Sequence, residues 1–95
     1  MIKMEGMMYP GVKNVKPLAD FKLHLTFENN EERIFDMNPF LNKGIFRELR
    51  DTVIFDTVHI SFDTIQWENG ADLCPEMLYE DSTLVDNESL NKTIF

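Results

Sequence analysis

The residues of this chain that could do chemistry are few. They are two histidines, His24 and His59, one cysteine, Cys74, and a scatter of aspartates of which Asp36, Asp51, Asp63 and Asp72 stand beside predicted elements. Two imidazoles could approach a divalent cation, but a zinc site takes three or four ligands with partners that orient them. Cys74 directly precedes Pro75 at a helix-start signal, where a helix N-terminus can depress a thiol pKa. A nucleophilic thiol also needs a base, and neither histidine is placed by sequence to serve as one. Carboxylate pairs can do acid–base work or bind cations. Each of these aspartates is better explained as a cap or a turn former. Trp67 could stack on a base or ligand, but its acidic flank favours a packing role. No glycine-rich phosphate loop and no Ser-His-Asp arrangement is present. The chain is read as non-catalytic, with no catalytic, cofactor-binding or metal-ligating residue assigned. One alternative stays open, a ligand-binding or enzymatic sheet face made of His24, Thr26, His59, Ser61 and Gln66.

The elements that must position these side chains are legible from period. Val12 to Leu18 is an extended segment in which Pro17 marks an edge strand or a strand end. Phe21, Leu23, Leu25 and Phe27 alternate with polar residues, giving a strand with one buried face. Asn29-Asn30 supplies a tight hairpin turn from two residues that tolerate positive φ. Glu31 to Met37 returns, with Arg33, Phe35 and Met37 on one face, and Asn38-Pro39 ends the hairpin. Gly44 to Arg50 predicts a two-turn helix with Ile45, Phe46 and Leu49 on one side. Asp51 caps a further turn through Phe55. Val58, Ile60 and Phe62 form a strand, Asp63-Thr64 a turn, and Ile65 and Trp67 the return strand of a second hairpin. Glu68-Asn69-Gly70 leaves that hairpin. Asp72 reads as a cap, and Pro75 opens a helix with Glu76 in its first turn. The densest stretch is the structural motif of Trp67, Asn69, Gly70, Asp72, Leu73, Leu78 and Tyr79.

Bulk properties bound the rest. Ninety-five residues make one domain. The expected organisation is a flexible leader over residues 1–11, a core over 12–79 and an acidic C-terminal tail over 80–95. No apolar run is long enough to cross a membrane, and the N-terminus does not read as a signal peptide. One cysteine makes no internal disulfide, which points to the cytoplasm. The net charge of −8 is uneven. Up to Asn42 five basic residues face six acidic ones, whereas from Lys43 onward four face eleven, a net of 4 − 11 = −7. Such a surface repels phosphate and suits a basic protein partner, or serves solubility alone.

Taken in order, Val15-Lys16-Pro17-Leu18, Leu25-Thr26-Phe27-Glu28-Asn29, Phe35-Asp36-Met37, Phe46 with Leu49 and Asp51, Phe55 and Val58, and Trp67-Glu68-Asn69-Gly70-Ala71-Asp72-Leu73 with Leu78-Tyr79 resemble the small bacterial "domain of unknown function 2442" family. The resemblance runs from about Val12 to Tyr79. It departs at Asn29-Asn30, where the family pattern has Asn-Gly, and at Glu68, where a proline is typical. Both are turn positions, so turn geometry is what the departures put in doubt. The resemblance implies a small α+β domain of hairpins and short helices, with no established catalytic residues. Some similar proteins add a helix-turn-helix domain, for which this chain leaves no room. Similar domains look as if they are encoded beside another small protein, which implies a toxin–antitoxin-like pair.

The expected fold is therefore α+β, a single domain of two antiparallel β-hairpins plus an N-terminal extended strand, with two or three short helices packed on the sheet. The expected function is a protein-interaction module, the antitoxin-like partner of a small basic protein. The alternative is a self-associating homodimer, with neither nucleic acid nor membrane as a direct partner.

Overall fold

The computed structural model describes residues 9–85. Residues 1–8 of the expected leader (1–11) and residues 86–95 of the expected tail (80–95) lie outside these residues. Seven strands form two antiparallel sheets. The first contains β1 (Val12–Leu18), β2 (Lys22–Phe27), β3 (Glu32–Asp36) and β7 (Thr83–Leu84), in that order. The second contains β4 (His59–Ser61), β5 (Thr64–Gln66) and β6 (Asp72–Leu73). Two short helices, α1 (Thr52–Phe55) and α2 (Pro75–Asp81), and several 3₁₀ turns complete a small α+β domain.

Alternation in β2 produces the buried face: Leu23, Leu25 and Phe27 are fully buried while Lys22, His24 and Thr26 are half-buried on the opposite side. Phe35 pairs with Leu23, and Arg33 pairs with Leu25 on the same inner face. In β1 the register shifts between Val12 and Asn14. This irregularity lets Val12 reach the core beside Phe27 although Val15 and Pro17 set the face further along. One apolar cluster joins the sheets, with Ile65, Trp67 and Leu73 from the second meeting Leu23, Leu25, Phe27 and Phe35 from the first.

One hairpin in each sheet closes with the same device. At Phe27-Glu28-Asn29-Asn30-Glu31, the Asn30 amide donates to Phe27 O, the Phe27 amide donates to Glu31 O, and Asn30 has φ 71°. At Trp67-Glu68-Asn69-Gly70-Ala71, the Gly70 amide donates to Trp67 O, the Trp67 amide donates to Ala71 O, and Gly70 has φ 91°. In each loop the central asparagine Oδ1 accepts the amide two residues on, at 3.0 Å. Each is a tight turn followed by one left-handed residue. Two expectations are refined accordingly. The first turn uses one positive φ, at Asn30, in place of two. Glu68-Asn69-Gly70 leaves the β4–β5 hairpin by turning a further one, linking β5 to β6.

Other local expectations also shift. Gly44–Arg50 is 3₁₀ in geometry, so Phe46 and Leu49, three apart, share the inner face and Ile45 is exposed. Phe62 is not a strand residue. It turns the β4–β5 hairpin with φ 57° and is 98 % exposed, because Ser61 pairs with Thr64 and leaves only Phe62 and Asp63 to bridge the strands. Residues 80 and 81 continue α2, and β7 then pairs with β3, so ordered structure passes the expected limit at Tyr79.

Asn30 holds its left-handed φ at the cost that any side chain bears there, a cost glycine avoids. Replacing Asn30 by glycine should raise stability by a few tenths to about 1 kcal/mol, although the exposed bond from Lys13 Nζ to Asn30 Oδ1 is lost. Chemical denaturation reads this directly, and a lower midpoint would show that the asparagine contributes more than its backbone costs.

Candidate functional site

Trp67 is 1 % exposed at the end of β5. Its Nε1 donates to Phe55 O at 3.0 Å, and its ring packs edge-on against Phe46 and tilted against Phe55. Asn69 Nδ2 donates to Glu48 Oε1, tying the β5–β6 loop to the 3₁₀ segment. Asp72 lies in β6 opposite Gln66 and does not cap α2, whose N-cap position is Cys74, without a side-chain cap bond. Pro75 does occupy the first turn of that helix. Leu73 and Leu78 are core residues. Tyr79 packs edge-on against Phe27, and the Arg33 guanidinium lies 4.2 Å from its ring centre. Apart from Asp72, which is exposed on β6, the members of the motif serve core, turn or helix packing.

The polar face considered as a ligand platform is divided. His24 and Thr26 belong to the first sheet, and His59, Ser61 and Gln66 to the second. His24 Nε2 lies 3.0 Å from Glu32 Oε1, and His59 Nδ1 lies 2.9 Å from Thr57 O. Among the described residues no three His, Cys, Asp or Glu side chains gather as a metal-ligating group. Cys74 is exposed.

The carboxylates have local duties. Asp51 Oδ1 accepts the Val53 amide and caps α1. Asp36 Oδ1 accepts both the backbone amide and the side-chain amide of Asn38, at 2.9 and 2.8 Å. These bonds, the backbone one first, hold the Asp36 carboxyl below its ordinary pKa. Hydrogen bonding from Tyr79 and then from Arg33 lowers Glu31 in the same way. A depressed folded-state pKa means stability that is fully present above the unfolded value of about 3.9 for aspartate and lost as pH falls through the folded value. The melting-temperature gap between wild type and Asp36→Asn should therefore narrow below about pH 4. A gap that does not change with pH contradicts this role.

Sequence reading missed one feature. A groove of about 310 Å³ lies between the β1–β2 connection and α1, lined by Pro17, Leu18, Asp20, Phe21, Thr52, Phe55 and Asp56 with Ala19. Asp20 and Phe21 are consecutive left-handed residues, with φ 62° and 59°, a conformation costly for side chains other than glycine. Three contacts fix them: Asn38 Nδ2 donates to Asp20 O at 2.8 Å, the Met37 amide donates to Phe21 O at 2.9 Å, and Phe21 packs edge-on against Phe55. The two walls are far apart in sequence and no motif links them. The Phe21–Phe55 contact that brings them together is tertiary.

The architecture is that of a small α+β domain built on two antiparallel meanders. The family model for proteins of unknown function DUF2442 matches residues 12–83, and the chain belongs to that family. The match covers β1 to β6 and reaches the start of β7. No curated protein and no solved structure matches the chain.

Proposed function

We propose that this domain is a non-catalytic protein-interaction module whose partner is a small basic protein, in the manner of an antitoxin-like partner. The observation that carries the reading is the placement of charge. From Lys43 to Val85, every acidic residue is exposed: Glu48, Asp51, Asp56, Asp63, Glu68, Asp72, Glu76, Glu80 and Asp81. The basic residues of the same span are Lys43, Arg47 and Arg50, and the Arg50 guanidinium is engaged with Leu41 O. A surface of one sign steers association with a surface of the other and repels nucleic acid. A cytoplasmic setting, read from the lone Cys74, belongs to the same proposal. No helix among the described residues is long and apolar enough to cross a membrane.

Pairing of sheet edges between two copies is the weaker reading. The edge strands β4, β6 and β7 are only two or three residues long. The edge strand β1 carries Lys13, Lys16 and Pro17, the residue types that discourage edge pairing.

The test is calorimetric titration of the full chain with the small protein encoded beside it, repeated over a salt series. Binding that weakens steadily as ionic strength rises is expected. Absence of binding at low salt refutes the proposal, and salt-independent binding refutes its electrostatic basis.

A further inference from the structure

We infer that the groove between the β1–β2 connection and α1 is a receptor for a single arginine side chain of the partner, an inference that rests on the proposed basic partner. At about 310 Å³ the groove falls at the small end of sites that take a whole ligand, and it suits one long side chain. Pro17, Leu18 and Phe21 give it apolar wall, with Leu18 36 % exposed and buried Phe55 beneath. Exposed Asp20 and Asp56 line it from opposite walls, and Thr52 lines it beside Asp56. An arginine carries a methylene stem for such a wall and a planar head with five donors for carboxylate and hydroxyl oxygens.

Among the described residues no cation engages the charges of the groove. Lys22, the nearest lysine to Asp20 in sequence, lies opposite Asp36 in the sheet. Arg50, the arginine nearest Asp56 in sequence, donates to Leu41 O. Among the described residues neither Asp20 nor Asp56 forms an ion pair. The wall is also set before any partner arrives, because Asn38, Met37 and Phe55 fix the left-handed pair Asp20-Phe21. A receptor whose shape is fixed in advance loses less on binding.

The experiment follows the backbone amide resonances of the full chain during titration with N-acetyl-arginine amide, with N-acetyl-norleucine amide as the uncharged comparison. Arginine amide should shift the amides of Leu18 to Phe21 and Thr52 to Asp56, and norleucine amide should not. The double variant Asp20→Asn, Asp56→Asn should lose roughly tenfold or more in affinity, the scale of one charge-assisted hydrogen bond. Asparagine tolerates the left-handed backbone at position 20, and an otherwise unchanged spectrum certifies the fold. Shifts spread over the acidic surface, or equal shifts with norleucine amide, overturn the receptor. Undiminished capture of the basic partner by the double variant overturns the receptor and leaves the partner reading standing. Arginine amide bound in the groove with no basic partner bound by the chain leaves the groove standing and removes the partner.

Discussion

Replacing Trp67 by alanine should cost about 3–5 kcal/mol, enough to unfold much of the population of a domain whose whole stability is of order 5–15 kcal/mol. The indole is buried between the second sheet and the segments before it, against Phe46 and Phe55. Alanine leaves a cavity that the tight loop Trp67 to Ala71 cannot collapse to fill, because its ends are fixed by paired backbone bonds. It also leaves Phe55 O with only the long 3.4 Å bond from the Val58 amide in place of the 3.0 Å bond from Trp67 Nε1, and a poorly paired buried carbonyl adds a cost of its own. Trp67→Phe separates the two effects. It retains most of the packing and loses the hydrogen bond, so it should sit clearly between wild type and alanine. Urea denaturation followed by far-ultraviolet circular dichroism measures all three. An alanine variant within 1 kcal/mol of wild type would mean that the indole is not the keystone its burial indicates.

Arg33→Ala should cost about 2–3 kcal/mol, the range for a charged hydrogen-bonding group removed from a largely buried position. Arg33 lies on the inner face of β3, its side chain 16 % exposed. Its Nε donates to Glu31 Oε1 at 3.0 Å, and its Nη1 donates to Tyr79 O and to Ser82 O, each at 3.2 Å. The guanidinium also lies over the Tyr79 ring. It thus receives carbonyls at the C-terminal end of α2, where the helix leaves them without partners. The loss should be local in character. Amide hydrogen exchange should accelerate first in α2 and β7, and the Val85 amide, bonded to Glu32 O, should lose protection before those of β2. Arg33→Lys should recover little, because an ammonium cannot reach two carbonyls and a carboxylate in one plane. Uniform acceleration across both sheets would show that the residue does not act through the helix end.

Much of the first sheet was legible because a half-buried strand writes its face into every second residue. Leu23, Leu25 and Phe27 did so, and β2 and β3 fall where the alternation puts them. The Asp51 cap and the Pro75 helix start were legible because each needs one residue type at one position. Phe62 was misread because period alone cannot tell the last strand residue from the first turn residue, and a phenylalanine exposed at a hairpin tip defeats any hydrophobicity rule. The segment Gly44–Arg50 kept Phe46 and Leu49 inside but lost Ile45 to the surface along with its helix type, since a spacing of three fits both geometries. The repeated Glu-Asn in the two loops was present in the sequence, but its meaning lay in the backbone bonds around it. The strand β7 was hidden because two exposed residues carry no period. The groove had no local signature, since what joins its walls is an aromatic contact between distant segments.

The division of the core between two meanders sets an order of events during synthesis. β1, β2 and β3 are contiguous and can pair as soon as Asp36 has left the ribosome, because only local loops need to close. Their inner face then waits for Ile65, Trp67 and Leu73, the residues that cover it in the finished domain. The Val12 amide waits as well, for Asp63 O. The nascent chain therefore passes through an interval in which Leu23, Leu25 and Phe27 face solvent on an incomplete sheet. Its vulnerability to aggregation belongs to that interval, and it ends when the second meander arrives.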